Sequence, residues 1–132
     1  MIDDKIRAFL SEPRFAVVAT IQPDGMPHQT VLWYELQGEE IMVNTARGRV
    51  KDHNLARDPR MSFCVEDGYR YVTLSGPVEL IADQQQAQDD IRRLAIRYHG
   101  EERGEEMSRT SFAQQERLSV RMRVEQIDAQ GF

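Results

Sequence analysis

A chain of 132 residues, 40% hydrophobic and 30% charged, has room for one packed core but not two, and its composition excludes a disordered or membrane-spanning protein. Its net charge of -5 excludes the broad basic footprint of general nucleic-acid binding. One cysteine, Cys64, excludes an intrachain disulfide, and the acidic opening Met1-Ile2-Asp3-Asp4 is unlike a signal peptide, so a reducing cytoplasm is expected.

Residues 3 to 11 predict a short amphipathic helix, with Asp3 as N-cap, Ile6, Phe9 and Leu10 on one face, and Pro13 enforcing a stop. Residues 15 to 21 are almost continuously apolar, the pattern of a strand buried on both faces. Pro23-Asp24-Gly25 supplies turn chemistry, and residues 28 to 35 then alternate, with Gln29, Val31 and Trp33 on one face and Thr30, Leu32 and Tyr34 on the other. Gln37-Gly38-Glu39 turns the chain into a third strand, Ile41-Met42-Val43-Asn44-Thr45, and the short connections make the three a meander.

Val50, Leu55 and Ala56 anchor a helix of about two turns that Pro59 ends. Met61, Phe63 and Val65 alternate with Ser62 and Cys64 as a fourth strand, and Asp67-Gly68 signals a hairpin into a long strand over 69–81. Ser75-Gly76-Pro77 inside that strand calls for a bulge or bend, as where a sheet curls into a barrel. Residues 83 to 99 form the clearest helix: Asp83 and Gln86 resemble a capping box, Ala87, Ile91, Leu94, Ala95 and Tyr98 form one stripe, and Gly100 stops it. Residues 101 to 116 read as a polar, mobile loop with room for a helical turn, and Leu118, Val120, Met122 and Val124 alternate with a wet face of Ser119, Arg121, Arg123 and Glu125. The expected fold is mainly β (α+β): one domain over 1–132, a six-stranded antiparallel barrel with two to three peripheral helices.

The chemistry concentrates between residues 45 and 60, where five Arg or Lys and two Asp give a local charge of +3. A strand end, a glycine turn and a helix start there gather backbone N–H groups suited to an anion, with Arg and Lys to match phosphate oxygens. The same composition also describes a solvated basic turn. Elsewhere, His28, His53, His99 and Cys64 do not fall at metal-ligand spacings, and no G-x-S-x-G, Walker loop or G-x-G-x-x-G occurs. Cys64 reads as a strand filler, and Trp33 and Tyr34 as core or interface aromatics or, less commonly, the wall of a ring pocket. No catalytic side chain and no metal site is assigned; the hard chemistry of an enzyme built this way would belong to a cofactor.

The order helix, Phe15-Ala16-Val17-Val18-Ala19-Thr20, Pro23-Asp24-Gly25 with Pro27-His28 and Trp33-Tyr34, then Val43-Asn44-Thr45 with Arg47-Gly48-Arg49, Lys51, Asn54-Leu55 and Asp58-Pro59-Arg60, resembles the flavin-reductase-like split β-barrels. These include pyridoxamine 5′-phosphate oxidase and its deazaflavin-using relatives, and the likeness extends over about residues 5 to 127. It implies a homodimer with two cofactor sites at the subunit interface. It also implies that Lys51 holds the cofactor phosphate with Arg49 as companion, and that Asn44 and Thr45 lie along the cofactor. Gln29, Thr30, Val31, Leu32 and Trp33 would edge its ring, with Tyr69 and Tyr71 reaching in from the partner subunit. The Arg-Gly-Arg-x-Lys spacing resembles the branch that uses coenzyme F420, a deazaflavin bearing a phosphate and an oligoglutamate tail, and the C-terminal arginine motif of the oxidases is missing. Arg47, Arg57 and Arg60 are candidates for that tail on charge alone. The expected function is therefore an F420-dependent oxidoreductase that passes hydride to an unsaturated small molecule. An FMN-dependent oxidoreductase and a non-catalytic flavin- or haem-binding barrel are the alternatives.

Overall fold

The computed structural model describes residues 2–132, in which eight strands and four α-helices alternate. The chain runs through α1 (Asp4–Ser11), β1 (Ala16–Ile21), β2 (Pro27–Leu32), β3 (Glu35–Gln37), β4 (Glu40–Ala46), α2 (Val50–Arg57), β5 (Arg60–Asp67) and β6 (Arg70–Ile81). It continues through α3 (Gln84–His99), α4 (Glu101–Thr110), a 3₁₀ turn (Phe112–Gln114), β7 (Arg117–Arg123) and β8 (Gln126–Gln130). The strands pair antiparallel in the order β2-β1-β5-β6-β7-β4-β3, with β8 also on β6.

β6 is the spine of this barrel-like sheet. Tyr71–Ser75 pairs with β8, Val78–Ile81 pairs with β7, and the sheet divides at Gly76 between them. A β-carbon on Gly76 would stand 1.8 Å from the Arg123 carbonyl oxygen, so only glycine lets the two backbones cross there. Glu125 N–H donates to the Ser75 carbonyl at 2.9 Å and fixes the crossing.

The expectation of six strands is corrected to eight. The predicted second strand breaks after Leu32, because the Tyr34 backbone is taken out of the ladder by side chains. Its N–H donates to the Tyr98 hydroxyl at 3.1 Å, and its carbonyl accepts from Arg97 Nε at 3.0 Å. β3 resumes beyond it, and β8 adds a short, mostly polar strand.

One apolar cluster fills the interior, built from α1 and the inward faces of β1, β4, β5, β6 and β7. Tyr34 is fully buried in it, edge-on to Phe63 at 4.8 Å, and its hydroxyl donates to the Leu10 carbonyl at 2.9 Å. Asp3 caps α1 by accepting from Ile6 N–H at 2.9 Å, and Asp83 caps α3 by accepting from Gln86 N–H at 3.2 Å.

Three further expectations are revised. Residues 101–116, predicted as a loop, contain α4, in which Gly104 alone is buried. Its helix lies so close to α3 that a β-carbon on Gly104 would be 2.6 Å from the Ile96 backbone, and Arg92 Nε donates to Glu105 Oε1 at 2.9 Å across the pair. The expected wet face of β7 is covered by α3 at one end, where Ser119 is fully buried and donates to Asp90 Oδ2 at 2.7 Å, and stays open at Arg123. β1, predicted to be covered on both faces, is open on one, where Val17 is 40% exposed beside the 62% exposed Val31. Among the described residues no helix is long and apolar enough to cross a membrane.

Candidate cofactor-binding site

β4 runs out through Asn44, Thr45 and Ala46 into the turn Arg47-Gly48-Arg49 and then α2. Gly48 takes φ +89°, a left-handed conformation that side chains rarely adopt. Asp52, one turn into α2, reaches back to accept from Gly48 N–H at 2.8 Å and faces Arg47 Nε at 3.4 Å, which locks the turn. Arg49 stands at the N-cap without a side-chain cap bond, so the positive end of the helix opens beside its guanidinium.

Against this turn lies a cavity of about 250 Å³ with two unlike ends. Phe15, Trp33, Ile91, Leu94 and Phe112 make one end apolar; Asn44, Thr45, Arg49, Gln115 and Arg117 make the other polar, with Val31 and Leu32 completing the wall. Trp33 is held flat on Tyr98, centroids 5.4 Å apart and planes 17° off parallel, with Phe112 edge-on at 6.2 Å.

The polar end carries an excess of positive charge. Lys51 is only 6% exposed and has no hydrogen-bond or ion-pair partner among the described residues. Burial first, then the charges of Arg49 and Arg117, push its ammonium below the usual lysine value. Arg117 is 5% exposed; burial and then Arg49 push its guanidinium down to about 10. Both stay cationic near neutral pH, but burial and repulsion make each charge costlier than it would be in water, which is the electrostatic mark of a place suited to an anion. The Thr45 hydroxyl in the same wall is buried without a partner, an acceptor or donor left for a ligand.

The structure thus brings Val31, Leu32, Trp33, Asn44, Thr45 and Arg49 around one cavity; Lys51 is not in its wall, but is buried within electrostatic reach of Arg49 and Arg117, which are. Gln29 and Thr30 are not in its wall: Gln29 points outward from β2, and the Thr30 hydroxyl is buried and unpartnered on the opposite side of that strand. Tyr69, 98% exposed, and Tyr71 stand on the β5–β6 hairpin, away from the cavity of their own chain. The three arginines considered for an anionic tail are engaged elsewhere. Arg47 meets Asp52 and Glu116, Arg60 grips Asp58 through Nε at 2.8 Å and Nη2 at 2.7 Å, and Arg57 donates to the Ile21 carbonyl.

Phe15, Ile91, Leu94, Phe112, Gln115 and Arg117 line the cavity without having been expected there, and Arg117 is the charged one among them. It lies 66 positions beyond Lys51 and arrives only because β7 pairs with β4 in the register Ala46 to Arg117. A larger open groove of about 650 Å³ runs over the outer face of the sheet between Ile21, Ser62, Ser75 and Pro77, and its arginine, Arg60, is neutralised by Asp58.

A family model described as pyridoxamine 5′-phosphate oxidase matches residues 2–131. Among solved structures, a conserved hypothetical protein from Mycobacterium tuberculosis is 30% identical, with a TM-score of 0.80 over 98% of this chain and 84% of its own. An F420 reductase is 23% identical, with a TM-score of 0.75 over 92% of this chain and 94% of its own. The haem storage protein of Vibrio cholerae is 17% identical, with a TM-score of 0.73 over 99% and 96%. The last two likenesses are of fold.

Proposed function

Because this chain belongs to the pyridoxamine 5′-phosphate oxidase family, we propose that it is an oxidoreductase of a phosphate-bearing flavin-type cofactor, coenzyme F420, acting on an unsaturated small molecule. The observation that carries this reading is Lys51, a largely buried lysine with no counter-ion among the described residues, coupled electrostatically to Arg49 and Arg117, which both line a half-aromatic cavity. Left uncompensated, a buried charge costs several kcal/mol, and a phosphate removes that cost.

Bound there, the reduced cofactor would supply a hydride. The chain's own contribution is to place and shield it. Lys51 and Arg49 hold the phosphate, Thr45 offers its free hydroxyl, and Trp33, kept rigid by Tyr98, gives a flat apolar wall that excludes water from the reacting face. The cavity of one chain, about 250 Å³, is smaller than the ~300–1,000 Å³ of most small-molecule sites. A second copy completes it in this reading. Val31 lines the cavity and is also 62% exposed on the outer sheet face with Phe15 and Val17, an apolar patch that a homodimer would cover.

FMN is the second reading, favoured by the family match itself; a non-catalytic flavin- or haem-binding barrel is the third, in keeping with the fold shared with a haem storage protein. Titration of the wild type and Lys51→Ala with coenzyme F420, FMN and haem, followed by quenching of the single tryptophan, separates the three. The reading expects tightest binding of F420 and a loss of roughly tenfold or more in Lys51→Ala. Equal affinity of wild type and variant would sink it.

A further inference from the structure

We propose that Arg117 is a third ligand of the bound anion, so that the site selects a group, or two adjacent groups, carrying two negative charges. The inference rests on the reading above that Arg49 and Lys51 receive a phosphate, and it names the charge state that phosphate chemistry must supply.

Arg117 is built to be held still and left charged. Its Nε donates to Asn44 Oδ1 at 2.9 Å, its Nη1 to Gln115 Oε1 at 2.6 Å, and its guanidinium lies 5.0 Å from the centre of the Phe112 ring. Both acceptors are neutral amides, so neither cancels the charge. Asn44 is fixed in turn by donating to the Ala87 carbonyl at 2.9 Å and Ser119 Oγ at 3.0 Å, and the Gln115 backbone carbonyl is tied to α3 by Gln88 Nε2 at 2.8 Å. Nη2 has no partner among the described residues, and Arg117 lines the polar end of the cavity.

The nearest carboxylate on α2 does not help. Asp52 Oδ2 is committed to Gly48 N–H and Arg47. Besides burial, Lys51 is disfavoured as a cation by Arg49 and Arg117, and Arg117 by Arg49, so the three positive groups crowd one place. A carboxylate would neutralise one of the three. A phosphate monoester at neutral pH neutralises two. A phosphodiester neutralises one and needs an adjacent carboxylate, as at the first residue of an oligoglutamate tail. The geometry of a fixed fork with a free amino edge suits phosphate oxygens better than a lysine would.

The test compares wild type, Arg117→Gln, Arg117→Lys and Lys51→Ala against FMN, riboflavin and coenzyme F420 by tryptophan quenching, and against inorganic phosphate by thermal shift. Arg117→Gln should weaken FMN and F420 roughly ten- to hundredfold, leave riboflavin unchanged and lose the stabilisation given by inorganic phosphate. Arg117→Lys should restore part of each loss. Without ligand, Arg117→Gln loses its bonds to Asn44 and Gln115 and also sheds a repelling charge, so each ligand's stabilisation is read against that variant's own ligand-free melting point. With FMN, wild-type affinity should fall as pH drops through the second phosphate pKa near ~6, less steeply in Arg117→Gln, whereas a diester shows no such step.

Arg117→Gln binding FMN and F420 as tightly as wild type while Lys51→Ala does not would overturn this inference and leave the phosphate reading standing. Equal losses for FMN and riboflavin would also overturn it, since a merely structural arginine would produce them. If neither Lys51→Ala nor Arg117→Gln discriminates FMN from riboflavin, the phosphate reading itself falls.

Discussion

Asn44 and Arg117 fix each other across the β4–β7 ladder: the arginine Nε donates to the asparagine Oδ1 at 2.9 Å, while the asparagine amide donates onward to Ala87 and Ser119. Asn44 thus has all its polar atoms engaged inside the protein, and only Arg117 is left with a donor to spare. That division makes Asn44 the frame and Arg117 the hand.

Asn44→Ala should accordingly lower stability by about 2 kcal/mol, the cost of stranding buried partners. It should also loosen binding of a phosphorylated cofactor, because the guanidinium loses its anchor. Urea denaturation and the same quenching titration read the two effects separately. A variant as stable as wild type would show that the asparagine frame carries no weight.

Lys51 makes a pH prediction. Its folded-state pKa lies below the ordinary 10.5, so the unfolded chain binds the proton more tightly than the native one. Stability from this group is present above 10.5 and is lost as pH falls through the lower native value. Lys51→Met should remove that slope, and the difference in unfolding free energy between variant and wild type should therefore favour the variant near neutral pH and shrink towards pH 10.5. Saturating inorganic phosphate should reverse the order at neutral pH by pairing with the lysine.

Gly76→Ala tests the division of the sheet. With a new methyl 1.8 Å from the Arg123 carbonyl oxygen and 3.3 Å from Glu125 N, the obstacle is backbone that cannot swing aside. A loss of more than about 3 kcal/mol, or insoluble protein, is the expected result. Native-like melting would mean that β7 and β8 can part without cost.

Val17→Glu tests the second copy. Val17 pairs with Val31 on one side and Cys64 on the other, in the middle of the exposed sheet face. A charge there should yield monomer in sedimentation with an unchanged circular-dichroism spectrum, since the side chain is already open to solvent in one chain. Dimer at wild-type strength would place the subunit contact elsewhere.

How much of this could be read from sequence depended on how local the cause was. Asp3, Asp83 and the Gly48 turn act within a few residues, and their roles were legible from spacing. The β3 break was not, because it is made by Tyr98, more than sixty positions away, bonding the Tyr34 backbone. α4 escaped because it has no apolar stripe: Glu101 to Thr110 bury only Gly104, so periodicity had nothing to detect. Arg117 escaped for a similar reason. It falls between the expected loop over 101–116 and the strand from Leu118, where no pattern marks it, and only the β4–β7 register brings it to Arg49. The basic turn around Arg49 was visible from local charge, and Val31, Leu32, Trp33, Asn44 and Thr45 through the family resemblance; the residues brought in by α3, Phe112, Gln115 and the start of β7 were not.

The close seating of α4 on α3 has a mechanical sequel. Where the two helices cross, Gly104 offers no β-carbon, and α4 runs on within two residues of its end to Phe112, part of the cavity roof. Roof height is thereby geared to a position that touches no ligand. A single methyl at residue 104 would meet the Ile96 backbone at 2.6 Å, and pushing α4 off α3 is expected to carry Phe112 away from Trp33 and widen the aromatic end. The width of the cavity's aromatic end is therefore set in part by a residue outside its wall.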